Sequence, residues 1–303
     1  MAMIDRLNLE GLRYAQAVAE TKSFSAAARA YGVTQPALSN GIAKLEERLG
    51  GKLFERSPRG VTQTAFGARI LPLIDHVVLA LDTVAAEARR LTEPGGDTVR
   101  MGVSPLIGSH LVARAFSAVR ELPVPRDLVL REANMRDLRD GLQAGELDII
   151  LIPAVTGMPR FEHRIIDVEP VVVVGRGAEP GVPVELAEAG TEQFILVPDA
   201  CGLTTFTTQL FESHELPLRT YAGAAASYRV LEEWAQLGLG SAMLPASRLT
   251  SPDVPHRPLM DQGRQVEISF EAVWSAGSPL NADLASLAET LADTREPYTT
   301  AMA

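Results

Sequence analysis

Residues 23–49, SFSAAARAYGVTQPALSNGIAKLEERL, constrain this chain more than any other stretch. Two short helical patterns are broken there by Gly32-Val33-Thr34. The first carries Ala26, Ala27, Ala28 and Ala30, small residues that let a second helix approach closely. The second opens on Thr34, a good N-cap, with Pro36 in its first turn, where a missing N–H costs nothing. Leu38, Ile42, Leu45 and Leu49 recur at four, three and four residues and form one core-facing stripe. Pro36, Asn40, Ala43 and Glu47 lie opposite, with Gln35, Ser39 and Lys44 at the edges. Two short helices joined through a Gly turn are the sequence form of a helix-turn-helix, whose second helix can enter the DNA major groove. An αα-corner of an ordinary helical domain has the same spacing, so the pattern alone leaves both readings open.

The wording narrows them. SFSAAARAYGVTQPALSNGIAKLEERLGGKLFER resembles the N-terminal domain of the LysR-type transcriptional regulators. RGVTQTAFG follows where that family has its wing and the start of its linker helix. The likeness is most specific over the first 67 residues and looser beyond. It implies DNA contacts from Ser23, Ser25, Thr34, Gln35, Pro36, Ser39, Asn40 and Lys44, and from Arg56 and Arg59 of the wing. The chain departs from the family at Asn40-Gly41, where a larger polar or basic pair is common. Gly41 in a helix interior costs roughly 1 kcal/mol relative to Ala and is read as shortening the reach into the groove, which leaves the operator sequence open.

Charge divides the chain in the same way. Net charge is −10, yet residues 1–92 hold 12 Lys/Arg against 9 Asp/Glu and residues 93–303 hold 16 against 29. All three lysines, Lys22, Lys44 and Lys52, fall in the first part. A weakly basic head on an acidic body suits a DNA reader attached to something that stays off DNA. The start, MAMIDRLNLEG, shows neither a basic n-region nor an apolar h-region, and no apolar run approaches 18 residues. The expectation is a soluble, cytoplasmic protein without a membrane partner. The single cysteine, Cys201, excludes an internal disulfide and any CxxC metal site.

Taken in order, residues 8–20 read as a first helix with Asn8 as cap, packing across the helix-turn-helix. Gly50-Gly51 stops the next helix, and Lys52–Arg56 and Val61–Gln63 alternate as a two-stranded wing around Ser57-Pro58-Arg59-Gly60. Residues 1–64 are thus expected as the DNA-binding unit. Thr64 caps a long pattern through residue 92, bent by Pro72, in which Ile70, Ile74, Val77, Leu81, Val84, Ala88 and Leu91 alternate four and three apart. That is an a/d seam, the mark of a helix pairing with a copy of itself, and the family resemblance makes 65–92 the dimerising linker helix. Glu93-Pro94-Gly95-Gly96-Asp97 is a hinge by composition.

Beyond it strands and helices alternate, which implies parallel sheets. Strands are expected at 99–103, 128–131, 149–152, 171–174, 194–197, 239–244 and 268–274, and the first helix runs from Ser104-Pro105 to about Arg120. Ile149–Ile152 lacks polar alternation and reads as buried on both faces. AGELDIILIP and WAQLGLGSAMLP resemble the family's effector-binding region, which shares its fold with periplasmic solute-binding proteins. The fold class is therefore mixed: an all-α winged helix-turn-helix and linker helix, then a two-lobed α/β domain over 93–303. The resemblance implies lobe 1 at about 97–167 plus 268–303, and lobe 2 at about 168–267.

Ligands bind beyond the carboxyl ends of the strands in such sheets, where helix N-termini present free N–H groups. Ser104, Pro105 and Leu106, Asn134 and Met135, Cys201, Gly202 and Thr204, and Ser227 fall at those junctions. Hydroxyls and N–H groups there suit a small carboxylate or another polar molecule, with Met135 and Leu106 making the cavity partly apolar; each Ser, Asn or Thr also has the simpler role of capping its own helix. No GxSxG, HExxH, P-loop or GxGxxG-after-strand pattern occurs, and the five histidines (76, 110, 163, 214, 256) are scattered singly. No cofactor, metal or catalytic centre is expected. The leading reading is a LysR-type regulator that reads an interrupted palindrome on double-stranded DNA. It would pair as a homodimer, assemble into a homotetramer, and answer a small-molecule effector by changing DNA bending or RNA polymerase contact. The competing class is a solute-binding or enzymatic protein using the α/β part alone.

Overall fold

Small residues set the geometry of the N-terminal part. The computed structural model describes residues 7–57, 60–92, 98–176, 179–198 and 202–293. These pack as two units, 1–88 and 89–303. In the first, α1 (Leu9–Thr21), α2 (Phe24–Ala30) and α3 (Gln35–Leu49) enclose a core containing Ala15, Val18, Ala27, Ala28, Leu38, Ile42 and Leu45. Gly32 makes the α2–α3 turn at φ +64°, and the Val33 N–H donates to the Ala28 carbonyl at 3.0 Å. Thr34 caps α3 by accepting from the Ala37 N–H at 3.4 Å. Asn8 holds the N-cap position of α1, but its side chain makes no capping bond.

Helices α1 and α3 cross at two glycines. A Cβ on Gly11 would stand 3.5 Å from the Gly41 carbonyl oxygen, and one on Gly41 would fall 2.7 Å from the Tyr14 ring. Gly41 therefore faces α1 rather than the groove, which corrects the expectation that it shortens the DNA-facing reach. Its absent side chain admits Tyr14, and that packing opposes the intrinsic cost of Gly in a helix.

The wing is an antiparallel pair, β1 (Phe54–Ser57) and β2 (Gly60–Gln63). It is pinned to α3 by Glu46, which accepts from the N–H groups of Leu53 and Phe54 at 2.8 and 3.2 Å. Thr64 then caps α4 (Ala65–Thr92), accepting from the Gly67 N–H at 2.8 Å. A Cβ on Gly67 would sit 2.1 Å from the Leu53 carbonyl oxygen, so only glycine lets α4 start this close to the wing. Leu71, Ile74 and Val78 of α4 enter the same core as α1–α3. The boundary expected at residue 64 is therefore not a packing boundary. The seam changes too: Ile70 and Ile74 serve the chain's own core, and the exposed stripe is Leu73, Val77, Leu81 and Val84. The Leu91 side chain and the hinge at 93–97 lie outside the described residues.

In the second unit β3 (Thr98–Val103), α5 (Ser109–Arg120), β4 (Asp127–Glu132), α6 (Met135–Gln143) and β5 (Ile149–Pro153) form parallel β–α–β units, with order β5-β3-β4. Ser104 delays α5, because its hydroxyl accepts from Leu106 N–H and its carbonyl from Ile107 N–H, closing a turn before the helix. Strand β6 (Glu162–Val174) then leaves this lobe. The second lobe follows with β7 (Val184–Glu185), α7 (Leu186–Ala189), β8 (Gln193–Leu196), α8 (Leu203–Ser213), β9 (Arg219–Ala224), α9 (Tyr228–Leu237) and β10 (Ala242–Pro245). A 3-10 turn (Ala246–Arg248), β11 (Arg257–Asp261) and β12 (Arg264–Gln265) complete it, and β13 (Glu267–Trp274) returns to α10 (Asn281–Asp293).

The parallel arrangement expected throughout holds only within the lobes. Strands β6 and β13 cross between them in opposite directions and pair antiparallel from Glu162 to Pro170, and β10 pairs antiparallel with the end of β6. Strand β5 is buried on both faces: Ile149 and Leu151 enter one core, Ile150 and Ile152 another with Leu138, Leu142 and Leu147. Among the described residues no helix is long and apolar enough to cross a membrane.

One half-buried acid gives the first unit a pH signature. Asp75 of α4 accepts from Gln16 Nε2 at 3.0 Å, and burial pushes its carboxyl up to about 6. Unfolded, it titrates near 3.9. The folded unit thus holds the extra proton between those values, so this acid's contribution to stability is full below about pH 4 and is lost as pH rises through about 6. Asp75→Asn should raise the melting temperature at pH 7 and remove this acid's share of the slope between pH 4 and 6. Thermal melts across that range check it, and an unchanged slope would refute the assignment.

Candidate nucleic-acid interface and ligand cleft

The capping of α2 and α3 orients the first site. Ser23 caps α2 by accepting from the Ala26 N–H at 3.2 Å, and Ser25, two residues on, donates to Gln35 Oε1 at 3.2 Å. These bonds fix the start of α3 against α2. Leu38, Ile42 and Leu45 are buried, which turns Gln35, Pro36, Asn40, Ala43 and Lys44 outward, all exposed, with Ser39 half-buried beside them. Ser23 and Thr34 thus work through backbone bonds, while Asn40 and Lys44 are exposed and Gln35 is exposed with its Oε1 held by Ser25.

Arg56 is placed differently from the expectation. From β1 it reaches back to α3, where Nη2 donates to Ser39 Oγ at 2.6 Å. Its guanidinium carbon lies 3.8 Å from the centroid of the Phe24 ring, and Phe24 meets Phe54 edge-on at 6.2 Å. Arg56 is thus held beside the recognition helix as well as belonging to the wing. Arg59 lies outside the described residues. Phe24 and Glu46, which orient this face, are apolar and acidic and so carried no basic signal in the sequence.

The second site is built from two half-sites in the second unit. Ser104 and Asn134 stand at the ends of neighbouring strands, with the Ala133 N–H donating to the Val103 carbonyl at 3.3 Å. Opposite them, Thr204 Oγ1 donates to the Val197 carbonyl at 2.7 Å and the Ala225 N–H to that of Leu196 at 3.0 Å. This gathers the N-termini of α8 and α9 at one strand end. Gly202 and Pro153 touch so closely that a Cβ on Gly202 would stand 2.6 Å from the proline ring. Arg248 Nη1 reaches the Ile107 carbonyl at 3.5 Å. The half-sites are therefore joined at two places, with Ser104–Ile107 on one wall and Ser227-Tyr228 on the other.

Several of the expected ligand contacts change role here. Leu106 is fully buried in the main core, and Met135 packs with Leu138, Ile150 and Ile152, so neither side chain lines a cavity. Ser104 is wholly buried and accepts from the Leu106 N–H at 3.2 Å. Asn134 and Ser227 cap α6 and α9, accepting from Asp137 and Val230 N–H at 2.9 and 3.3 Å. Pro105 is half-buried, and Cys201 lies outside the described residues. Arg248 was not anticipated. Its guanidinium carbon is 5.2 Å from the centroid of Tyr228, and its buried Nε has no hydrogen-bond partner. Only the fold carries this arginine from the end of β10 back to the first lobe.

A winged helix-turn-helix followed by a two-lobed α/β domain is the architecture of regulators that couple DNA reading to a small-molecule receptor. Residues 9–68 match the family described as bacterial regulatory helix-turn-helix protein, lysR family, and residues 92–296 match the LysR substrate binding domain. The chain belongs to the LysR family of transcriptional regulators. It is 30% identical over 269 residues to the transcriptional regulator IlvR of Caulobacter vibrioides, covering 80% of this chain and 83% of that protein. It is 33% identical over 182 residues to a probable hydrogen peroxide-inducible genes activator of Streptomyces viridosporus, a match spanning 58% of each. The chain thus spans little more than half the length of that relative. Among solved structures it is similar to Corynebacterium glutamicum OxyR with H2O2 bound (22% identity, TM-score 0.55, covering 94% and 93%). It is also similar to full-length CbnR complexed with its target DNA (21%, 0.53, covering 94% and 100%). At these identities the likeness shows the fold alone.

The two polar features of α3 and the wing should separate in binding experiments. Asn40→Ala should lower the preference for a cognate operator over unrelated DNA by roughly 1–3 kcal/mol, the worth of an adenine contact. Arg56→Ala should weaken both DNAs together and lower the slope of log affinity against log salt by about one. Titrations on both DNAs at several salt concentrations decide; a loss confined to the operator in Arg56→Ala would make that arginine a base reader.

Proposed function

We propose that this protein regulates transcription by reading double-stranded DNA with α3 and its wing, and that a small polar effector in the cleft of the second unit sets its state. The observation that carries the reading is the exposed face of α3. Gln35, Asn40 and Lys44 point away from the core, and Arg56 is laid against Ser39 at their edge. A helix N-terminus, amides and a fixed guanidinium are the donors that phosphates and base edges accept. That CbnR was solved with its target DNA supports the docking mode.

The stripe on α4 supplies symmetry. Leu73, Val77, Leu81 and Val84 are 42% to 66% exposed on one helix, an apolar face that a second copy would cover. Two heads related by a two-fold axis read two half-sites, so the operator is an interrupted palindrome. Pairing of such dimers gives the tetramer the family resemblance implies, and DNA bending or polymerase contact is the output. The reading needs no catalytic step.

The effector is read from Arg248. A cation whose Nε lacks a partner, beside the Tyr228 ring and facing the Ser104–Ile107 wall, suits a small carboxylate. The peroxide named for some relatives fits less well, because an intrachain disulfide switch needs two cysteines and this sequence has one.

Val77→Asp with Leu81→Asp should place charge in the paired face and give monomers with weakened operator binding. Sedimentation showing an intact dimer would sink the stripe as the interface. Arg248→Gln should keep operator binding while cutting carboxylate affinity, by about 1.5–3 kcal/mol for a lost charged hydrogen bond. A carboxylate library screened by thermal shift on the wild-type and variant proteins tests this; equal shifts in both would move the site elsewhere.

A further inference from the structure

Two acids of one strand meet a histidine 57 residues away in sequence at the lobe crossing. Asp167 and Glu169 are two residues apart on β6, so they share one face of the strand, and both are buried. His110, in the first turn of α5, brings Nε2 to 3.1 Å from Asp167 Oδ2 and 3.8 Å from Glu169 Oε1. All three donor atoms lie within 4.8 Å of one another.

The carboxylates are held for this meeting. Asp167 accepts from the Val168 N–H through Oδ1 at 2.9 Å and turns Oδ2 to the imidazole. Glu169 accepts from the Ser247 N–H through Oε2 at 3.1 Å and turns Oε1 the same way. That Oε1 is the odd atom. Glu169 is 1% exposed, and Oε1 is buried without a hydrogen-bond partner. A buried carboxylate oxygen with no donor is costly unless a cation meets it. Arg114 supplies part of the charge, with Nη1 3.3 Å from Asp167 Oδ2, but its Nη2 is tied to the Leu291 carbonyl.

We propose that His110 Nε2, Asp167 Oδ2 and Glu169 Oε1 form a binding site for one divalent first-row transition-metal ion of the zinc type. One imidazole and two carboxylates give an N,O,O set, which suits zinc, cobalt or manganese better than calcium or magnesium. Ligands at about 2.0–2.2 Å in a tetrahedral site stand roughly 3.4 Å apart. The observed 3.1 and 3.8 Å bracket that spacing and the two carboxylate oxygens stand no more than 4.8 Å apart, so the ion would draw the side chains together. The two backbone bonds act as outer-sphere supports that aim the carboxylates. His110 is 42% exposed in its side chain, which leaves a route for the ion and room for water in the remaining position.

The location gives the ion a consequence. His110 belongs to the first lobe, Asp167 and Glu169 to the crossing strand, and Ser247 to the second lobe. A bound metal ties α5 to β6 and, through Glu169 and Ser247, to the turn that carries Arg248. Occupancy would stiffen the lobe hinge beside the proposed effector wall. The histidines that sequence spacing leaves scattered include one ligand assembled by the fold.

The test uses the full-length protein, stripped with chelator and dialysed against Zn2+ or Co2+. Elemental analysis should find one tightly held ion per chain, and bound Co2+ should show visible d–d absorption. His110→Ala and Glu169→Gln should each weaken binding at least about 10-fold, while His256→Ala, whose ring Nδ1 bonds its own loop at Val254, should not. Zn2+ should raise the melting temperature of the wild type and leave His110→Ala unmoved. His110 is at the surface, so this variant remains informative if Glu169→Gln folds poorly. No saturable ion in the wild type, or an ion retained with unchanged affinity in His110→Ala, would overturn the site.

Discussion

Strand β6 belongs to both lobes of the second unit, and everything functional there is referred to it. Its stretch from Glu162 to Pro170 pairs with β13 and its last four residues with β10, so one hydrogen-bonded ladder crosses from lobe to lobe. Backbone groups in a buried strand must stay paired. The lobes can therefore change their angle by twisting this ladder, but parting them would orphan its N–H and C=O groups. Further contacts between the lobes lie at the strand ends, where Gly202 meets Pro153 and Arg248 meets Ile107. A ligand that favours one spacing at those seams biases the whole domain. The buried acids of β6, Asp167 and Glu169, lie on the same ladder, beside the place where any such twist would act.

The first unit relies on a different economy of contacts. Its core is small, and close approach substitutes for bulk: Gly11 and Gly41 bring α1 onto α3, and Gly67 brings α4 onto the wing. Glu46 is the pivot, because one carboxylate oxygen holds two wing N–H groups against the recognition helix. Phe24 then seats Arg56, whose charge would otherwise wander on a flexible stem. Arg56 and the exposed face of α3 are thereby held in one register, which would lower the ordering cost of the DNA docking proposed for them.

Some of this was legible from residue order. The helical repeat of Leu38, Ile42 and Leu45, the Thr34 cap and the Gly32 turn are local features, and each occupies its expected place. The uninterrupted apolar run at 149–152 likewise implied a strand buried on both faces, as it is. The seam on α4 was half legible. Its spacing marked an apolar face, but an isolated pattern does not tell which residues serve the chain's own core and which serve a partner. Leu71 and Val78 joined that core, and Leu73 was left outside.

By itself, then, the sequence determined most local elements: where helices start (apart from α5, which Ser104 delays to Ser109), which side of each is apolar, and that a basic head precedes an acidic α/β body. These follow from period, capping chemistry and charge, all of which act within a few residues. The tertiary structure alone decided that Gly41 faces Tyr14 and that Met135 and Leu106 are core. It alone set Arg56 on Phe24 and Arg248 at the opposite wall. It alone gathered His110 with Asp167 and Glu169, from positions 57 and more residues apart. Each depends on which face of one element meets which face of another, and that is fixed by packing and strand register over the whole chain rather than by any neighbour in sequence.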